Sequence, residues 1–325
     1  MTPSTVPPSA WAANIVCMLS MLVWAMGLPA ASLLLDTVPP LPLTAARMVL
    51  AAACLLPLWW LLEGRDALRH APWWQGIRVG GFTIGLGAFL LVVGQGMTDA
   101  VTVAIISASM PVVAIAIEVL LDGRKLSRGL VVGVALSLLG GVMALDGGNQ
   151  QLALGLGALM CFASVLVYTL GSRMTVTSFP DLSPLGRTTV TLTGAAVVTT
   201  VAACAAALAG ATPPQWAALG WRELGALAIF AIGGLAISQV LWIRSVGHLG
   251  IALSSLHINA TPFYVMLILF ALGGAWNWTQ AAAALVVGVG VLIAQGVFVK
   301  APIEAPIEAP IEAPIEARNE PPLER

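Results

Sequence analysis

Two apolar stretches decide the fold class: VTVAIISASMPVVAIAIEVLLD at residues 101–122 and ALSSLHINATPFYVMLILFALG at residues 252–273. Each is long enough to cross a bilayer as a helix. Each also holds one proline near its middle, Pro111 or Pro262. A proline removes one backbone N–H and frees the carbonyl group four residues earlier. Lipid cannot pair that carbonyl, so the break must be covered by protein or must line a wet cavity. Two such broken helices at corresponding places predict a binding site between two repeats.

The composition favours a membrane protein. Apolar residues make up 59% of the 325 residues and charged residues only 9%. A soluble protein of this size cannot bury so much apolar surface, whereas a bilayer can solvate it. The net charge is −1 and no basic cluster occurs, so nothing predicts a nucleic-acid partner. The four cysteines lie within apolar runs and lack the paired spacing of zinc sites, and we predict no metal and no cofactor.

Ten apolar runs separated by short loops predict ten membrane-spanning helices. They occupy residues 11–33, 41–62, 76–96, 101–121, 128–146, 151–172, 184–210, 220–243, 250–272 and 279–299.

The basic residues of the loops predict the orientation of these helices. If residues 1–10 are a cytoplasmic N-terminal segment, twelve basic residues lie in cytoplasmic loops or the C-terminus, and two, Arg47 and Arg222, lie on the other side. The positive-inside rule therefore predicts that both termini are cytoplasmic. After Lys300 the motif APIE is repeated four times, and we predict that residues 300–325 form a disordered cytoplasmic tail.

An internal repeat divides the chain into two halves. The segment CMLSMLVWAMG at residues 17–27 matches CFASVLVYTLG at residues 161–171, and LVVGVALSLLGGV at 130–142 matches LVVGVGVLIAQGV at 285–297. The halves would span residues 11–146 and 151–299, with five helices each. Because five is odd, the second half enters the membrane in the opposite orientation. The predicted fold is therefore an all-α membrane protein with ten transmembrane helices in two inverted five-helix repeats.

The same segments carry a resemblance to a known family. AIISASMPVVAIAIEVLLDG at 104–123 and SSLHINATPFYVMLILFALGG at 254–274, each followed by its Gly-spaced last helix, resemble EamA-type members of the drug/metabolite transporter superfamily. The chain departs from the family's common Gly-Glu turn, because Gly123-Arg124 and Gly274-Ala275 stand there. Trp24 with Gly27 is similar to the amino-acid exporter branch (YddG-type). The resemblance implies efflux of amino acids and related small metabolites across the bacterial inner membrane.

Candidate substrate-binding residues lie in the first, sixth and ninth runs. Trp24 and Tyr168 occupy equivalent places in the repeat and would form aromatic walls of a central pocket; interfacial or packing roles are the alternative. Ser254, His257 and Thr261 share one face of an α-helix, directed either at the cavity or at helix–helix hydrogen bonds.

Further candidates lie in the fourth and eighth runs. Ser107 shares a helix face with the hinge proline Pro111 and with Glu118, a carboxylate within a span that is either a proton site or a charge paired near the membrane surface. Gln239 is a wall residue or a packing residue.

Several functions are compatible with these residues. The leading hypothesis is a secondary transporter that exports amino acids by facilitated diffusion, since no phosphate-binding loop for ATP occurs. The first alternative is a proton-coupled antiporter that uses Glu118 or His257. Others are an intramembrane hydrolase built on Ser254 or Ser255 with His257, and a passive assembly or lipid-scrambling protein. The expected partners are a small-molecule substrate and the lipid bilayer.

Overall fold

The apolar runs fold as helices in a computed structural model that describes residues 10–98, 100–123, 125–146, 155–276 and 278–294. No strand occurs within these ranges. The α-helices are α1 (Ala10–Leu35), α2 (Pro40–Arg69), α3 (Trp73–Gly76), α4 (Leu86–Gly96), α5 (Ala100–Ser107), α6 (Met110–Asp122), α7 (Arg128–Asp146), α8 (Leu156–Thr177), α9 (Pro184–Leu208), α10 (Trp221–Ala228), α11 (Ser238–Ser255), α12 (Thr261–Ala271) and α13 (Trp278–Ala294). Two π-helical segments, Ile77–Gly85 and Ile229–Ile237, and two 3₁₀ turns, Trp216–Ala218 and Leu256–Ala260, lie between them.

Six helical segments of the described part are long and apolar enough to cross a membrane. They are Trp11–Leu35, Pro40–Arg69, Trp73–Gly96, Leu156–Thr177, Pro184–Leu208 and Trp221–Ala271. The last includes two of the predicted spans, and it changes direction at Gly250, where φ is 77°. The count of ten spans and the cytoplasmic position of both termini stay predictions. Arg124, the predicted loop at 147–150 and the predicted tail at 300–325 lie outside the described residues.

Both proline-containing stretches are broken helices, but each proline begins a helix instead of interrupting one. Helix α5 ends at Ser107, and Pro111 lies in the first turn of α6. In the other stretch the 3₁₀ turn Leu256–Ala260 precedes α12, and Pro262 lies in its first turn. A first-turn N–H has no partner within its own helix, so proline sacrifices no hydrogen bond there. The breaks therefore lie on the N-terminal side of the prolines.

The two π-helical segments occupy corresponding places in the two predicted repeats, 152 residues apart. Each is crossed closely by a helix of the other half at a glycine. A Cβ on Gly27 of α1 would lie 3.3 Å from the Cα of Gly234, and a Cβ on Gly171 of α8 would overlap the side chain of Thr83. Gly27 and Gly171 match each other in the sequence repeat.

The helices of the two halves are interleaved. Helix α1 packs on α11 and the second π-helical segment, and α8 packs in the same manner on α4 and the first π-helical segment. Equivalent helices of the two halves also pack on each other. Helix α2 packs on α9, and α7 packs on α13. This pairing supports the sequence repeat. It also means that the predicted halves, 11–146 and 151–299, share one set of packed interfaces.

The charge count placed Arg47 on the non-cytoplasmic side, but the residue is buried within the bundle. It lies in the second turn of α2 with 3% of its surface exposed. Its guanidinium therefore belongs to the interior and contributes nothing to the orientation. Arg222 alone remains of the two basic residues assigned to the non-cytoplasmic side.

Candidate functional site

A cavity of about 680 Å³, counting its open mouth, lies among the helices of both halves. Most of its lining is apolar. The lining residues are Ser20, Met21, Trp24, Arg47, Ile84, Ala88, Leu91, Ser107, Met110, Ser164, Val165, Tyr168, Leu235, Ser238, Gln239, Trp242 and Ile258.

Part of the wall is built twice, once from each half. The Ser20 hydroxyl donates to the carbonyl of Ser238 at 2.7 Å, and the Ser164 hydroxyl donates to the carbonyl of Gly87 at 2.7 Å. Ser20 and Ser164 match in the sequence repeat, and their acceptors are separated by the same 151 residues as the two prolines. Each bond ties the first helix of one half to a helix that follows the π-helical segment of the other.

The aromatic residues of the wall differ between the halves in their polar contacts. The Tyr168 hydroxyl donates to the Gln239 side-chain oxygen. The Gln239 amide nitrogen is buried and has no hydrogen-bond partner among the described residues. Trp24 lies at the place equivalent to Tyr168 and packs against the cluster of apolar residues around Met21. Trp24 is thus held in a cluster of apolar residues, whereas the Tyr168 hydroxyl contacts a glutamine whose amide nitrogen is unused among the described residues.

Arg47 brings a positive charge to the cavity. Its Nε donates to the carbonyl of Phe230 at 3.1 Å and its Nη2 to the carbonyl of Gly234 at 2.9 Å. The guanidinium carbon lies 3.9 Å from the centre of the Phe230 ring, and Tyr168 is near enough to interact with it electrostatically. These contacts hold the group on the second π-helical segment, and its other N–H groups form no recorded hydrogen bond with the described residues.

Four of the predicted substrate-binding residues, Trp24, Tyr168, Ser107 and Gln239, line this cavity together. The other three do not line it.

Ser254, His257 and Thr261 are buried outside the cavity. The prediction placed them on one face of an α-helix, but Leu256–Ala260 is a 3₁₀ turn with about three residues per turn. This change of period turns Ile258 toward the cavity, and His257 Nδ1 instead lies 3.3 Å from the carbonyls of Leu253 and Ser254. Their role in substrate binding stays a prediction.

Glu118 lies away from the cavity and joins two helices. It is 7% exposed, and its Oε1 accepts a hydrogen bond from the backbone N–H of Ala252 at 2.9 Å. That N–H follows Gly250, where α11 changes direction and an N–H is left without a helical partner. Glu118 of α6 therefore caps the new helical direction from another helix. Its predicted alternative role, a proton site, is untested.

The serine–histidine pair of the hydrolase alternative can be checked in the structure. Among the described residues no group of His, Cys, Asp and Glu side chains could hold a metal ion. The Ser255 hydroxyl donates to the carbonyl of Ala252, and among the described residues His257 contacts backbone carbonyls and no serine hydroxyl. The pair suggested for a hydrolase is thus not assembled in this conformation.

Sequence reasoning missed Arg47, Ser20 and Ser164. The two serines stand in register in the matching segments 17–27 and 161–171, so the repeat itself was a usable signal. A single arginine within an apolar run was also a signal, because intramembrane charges are costly and generally functional. Its partners are carbonyls 183 and 187 residues away, and no sequence pattern marks them.

Comparison with known proteins agrees with this architecture. Residues 11–145 match the model of the EamA-like transporter family. The chain is 25% identical over 220 residues to "Uncharacterized transporter YyaM" of Bacillus subtilis (strain 168), which covers 66% of this chain and 71% of that protein.

The fold is also similar to a solved one. A crystal structure of another protein, 19% identical, superposes with a TM-score of 0.73 over 88% of this chain and 97% of that one. At that identity the likeness concerns the fold alone, and it extends into the second half, beyond the family match. Residues 11–145 are thus similar to the EamA-like transporter family, and with its long apolar helices the chain is a multi-pass membrane protein.

Proposed function

We propose that this protein is a secondary transporter that exports amino acids and related small metabolites across the bacterial inner membrane by facilitated diffusion. The observation that carries the proposal is the cavity lined by equivalent residues of both halves, Ser20 with Ser164 and Trp24 with Tyr168. A site shared by two repeats opens to one side or the other when the repeats rock against each other. The broken helices at Pro111 and Pro262 would serve as hinges, since few backbone bonds oppose bending there.

Transport by reconstituted vesicles tests this function. Vesicles that hold the purified protein and an amino-acid gradient, without an ion gradient, are expected to show flux above that of protein-free vesicles. Trp24→Ala removes an aromatic wall and is expected to reduce the flux several-fold. Trp278→Ala is the control, because Trp278 is exposed and lies outside the cavity lining. Equal flux with and without the protein, for every amino acid tried, would contradict the proposal.

The alternative is proton-coupled antiport, and the burial of Glu118 between two helices is the observation that favours it. Under facilitated diffusion, Glu118→Gln keeps an oxygen that accepts from the Ala252 N–H and is expected to preserve most of the flux. Glu118→Ala leaves that N–H without the oxygen and is expected to lower both thermal stability and flux. Flux that requires a pH difference and disappears in Glu118→Gln would establish the antiport mechanism instead.

A further inference from the structure

We infer that the cavity selects substrates by a carboxylate group, with Arg47 as the specificity-determining residue and Gln239 as a second donor. This inference rests on the proposed transport function and narrows its substrate class. The substrates would be small carboxylic acids with an apolar body, and an ammonium group on them would be tolerated but not required.

Arg47 carries a positive charge into the wall of the cavity. A buried guanidinium is expensive unless it is paired. In the described part of the chain no Asp or Glu side chain lines the cavity, and no carboxylate forms an ion pair with Arg47. Its two hydrogen bonds go to neutral carbonyls and use two of its five N–H groups. The cavity therefore carries an uncompensated positive charge that an anionic ligand would neutralise.

The other half forms the equivalent helix junction without an arginine. In the equivalent junction of the other half, α9 lies directly on the first π-helical segment. A Cβ on Gly80 would overlap the carbonyl of Thr191, and a Cβ on Gly194 would overlap that of Gly76. Close backbone approach at these glycines, together with side-chain contacts such as that of Val198 with Gly81, joins those elements. At the Arg47 junction a charged side chain stands where the other half uses glycine contacts.

The amide nitrogen of Gln239 is a second donor in the same cavity. Gln239 is 2% exposed, and its amide nitrogen has no hydrogen-bond acceptor, although a buried amide N–H group is costly when unpaired. Tyr168 fixes the amide by donating to its oxygen, so the nitrogen remains the donor. Tyr168 also lies within electrostatic range of Arg47. A guanidinium and an amide donor in one cavity match the two oxygens of a carboxylate.

The rest of the lining explains why an amine is not needed. No carboxylate among the described lining residues would bind a cation, and the serine hydroxyls Ser20, Ser164 and Ser238 donate to backbone carbonyls. An ammonium group could contact the faces of lining rings such as Trp24 and the lone pairs of the neutral hydroxyls, and none of these carries a negative charge. Met21, Leu91 and Val165 would enclose the apolar body of the substrate.

The inference is tested by measuring how tightly four compounds bind to the purified full-length protein. The four compounds share the same apolar side chain. They are 3-phenylpropanoate, phenylalanine, phenylalaninamide and 2-phenylethylamine, and the measurement is isothermal titration. We expect the two compounds with a carboxylate to bind at least about tenfold more tightly than the amide and the amine. Equal affinity of the acid and the amide, or failure of both acids to bind, would overturn the inference.

Two substitutions separate recognition from a structural role of Arg47. Arg47→Lys keeps the charge but loses the planar fork, and it is expected to lower the affinity ratio of acid over amide. Gln239→Glu keeps an acceptor for Tyr168 but adds a negative charge. It is expected to lower the affinity for the acids and to raise the affinity for the amine. Arg222→Gln, at an exposed arginine, is the control and should leave the ratio unchanged. A purely structural Arg47 would change stability and leave this ratio unaltered.

The inference and the proposed function fail in different ways. If vesicles transport phenylalaninamide as rapidly as phenylalanine, the protein is a transporter but does not select carboxylates. If the acids bind and no compound is transported, the site is correct and the transport function is wrong.

Discussion

At the scale of single residues, glycine decides how closely the two halves approach. Gly80 of the first π-helical segment faces the backbone of α9, and a methyl group there would overlap the Thr191 carbonyl oxygen. Gly80→Ala is therefore expected to force the two elements apart and to cost about 1–3 kcal/mol of stability, the usual range for overpacking. Thermal unfolding of the purified protein in detergent measures this loss.

The control for this substitution lies in α10. Gly225 is exposed in a helix and has no atom near the position of a Cβ. Gly225→Ala is expected to preserve or slightly raise the unfolding temperature, because alanine favours helix by about 1 kcal/mol. Equal unfolding temperatures for the two variants would show that the Gly80 contact is not tight in the protein.

Sequence predicted four of the lining residues, and it found two of them, Trp24 and Tyr168, through the repeat. Trp24 and Tyr168 were found because matched segments place them at equivalent positions, and the cavity contains both. Arg47 was counted on the non-cytoplasmic side, and its burial in the bundle was missed because its partners are backbone carbonyls far along the chain. A carbonyl carries no residue identity, so this kind of pairing cannot be seen in a sequence.

At the scale of elements, departures from the α-helix mark the site. Sequence periodicity assumes 3.6 residues per turn, and it failed where the chain is 3₁₀ at Leu256–Ala260 and gave no sign of the π-helical segments. The prolines did indicate the breaks, which lie within the turn that precedes each proline. π-helical turns are frequent at functional sites. Here their carbonyls, at Phe230 and Gly234, hold the Arg47 side chain.

The prolines give a prediction about these breaks. Pro111→Ala and Pro262→Ala restore a backbone N–H in the first turn of α6 and α12, which allows each helix to extend backward across its break. We expect both variants to insert and purify normally but to transport several-fold more slowly, because the hinges stiffen. Initial rates in vesicles, normalised to protein content, measure the effect, with Pro57→Ala in α2 as a proline control outside the breaks. Wild-type rates in both hinge variants would show that the breaks are tolerated without being used.

At the scale of the whole molecule, the charge bias predicts orientation. With Arg47 buried, the count of basic residues becomes more one-sided, which favours cytoplasmic termini still further. Reporter proteins fused after Lys300 and inserted at residues 70–72 should both report the cytoplasm, and one inserted at 147–150 the opposite side. If the reporter fused after Lys300 lies outside the cytoplasm, the count of ten spans is wrong.

The interleaved halves must also separate at one end if the cavity is to open alternately. Helices α6 and α8, one from each half, are joined at their ends by a bidentate ion pair between Asp122 and Arg173, with Nε of Arg173 3.0 Å from Oδ2 of Asp122. An exposed pair of this kind contributes little stability, so it can break in each transport cycle. A covalent link between the same two positions cannot break in the cycle.

We therefore expect that linking these two positions stops transport. Cysteines replace Asp122 and Arg173 in a background that carries Cys54→Ala and Cys204→Ala, whereas the buried Cys17 and Cys161 remain. Because the long arginine side chain holds the backbones apart, a direct disulfide is too short and a short bis-thiosulfonate linker is used. Linked protein should lose nearly all flux and regain it after reduction, while each single-cysteine variant treated with the linker keeps its flux. If the doubly substituted, linked protein transports at the unlinked rate, these helix ends do not part during the cycle, and access to the cavity changes elsewhere in the bundle.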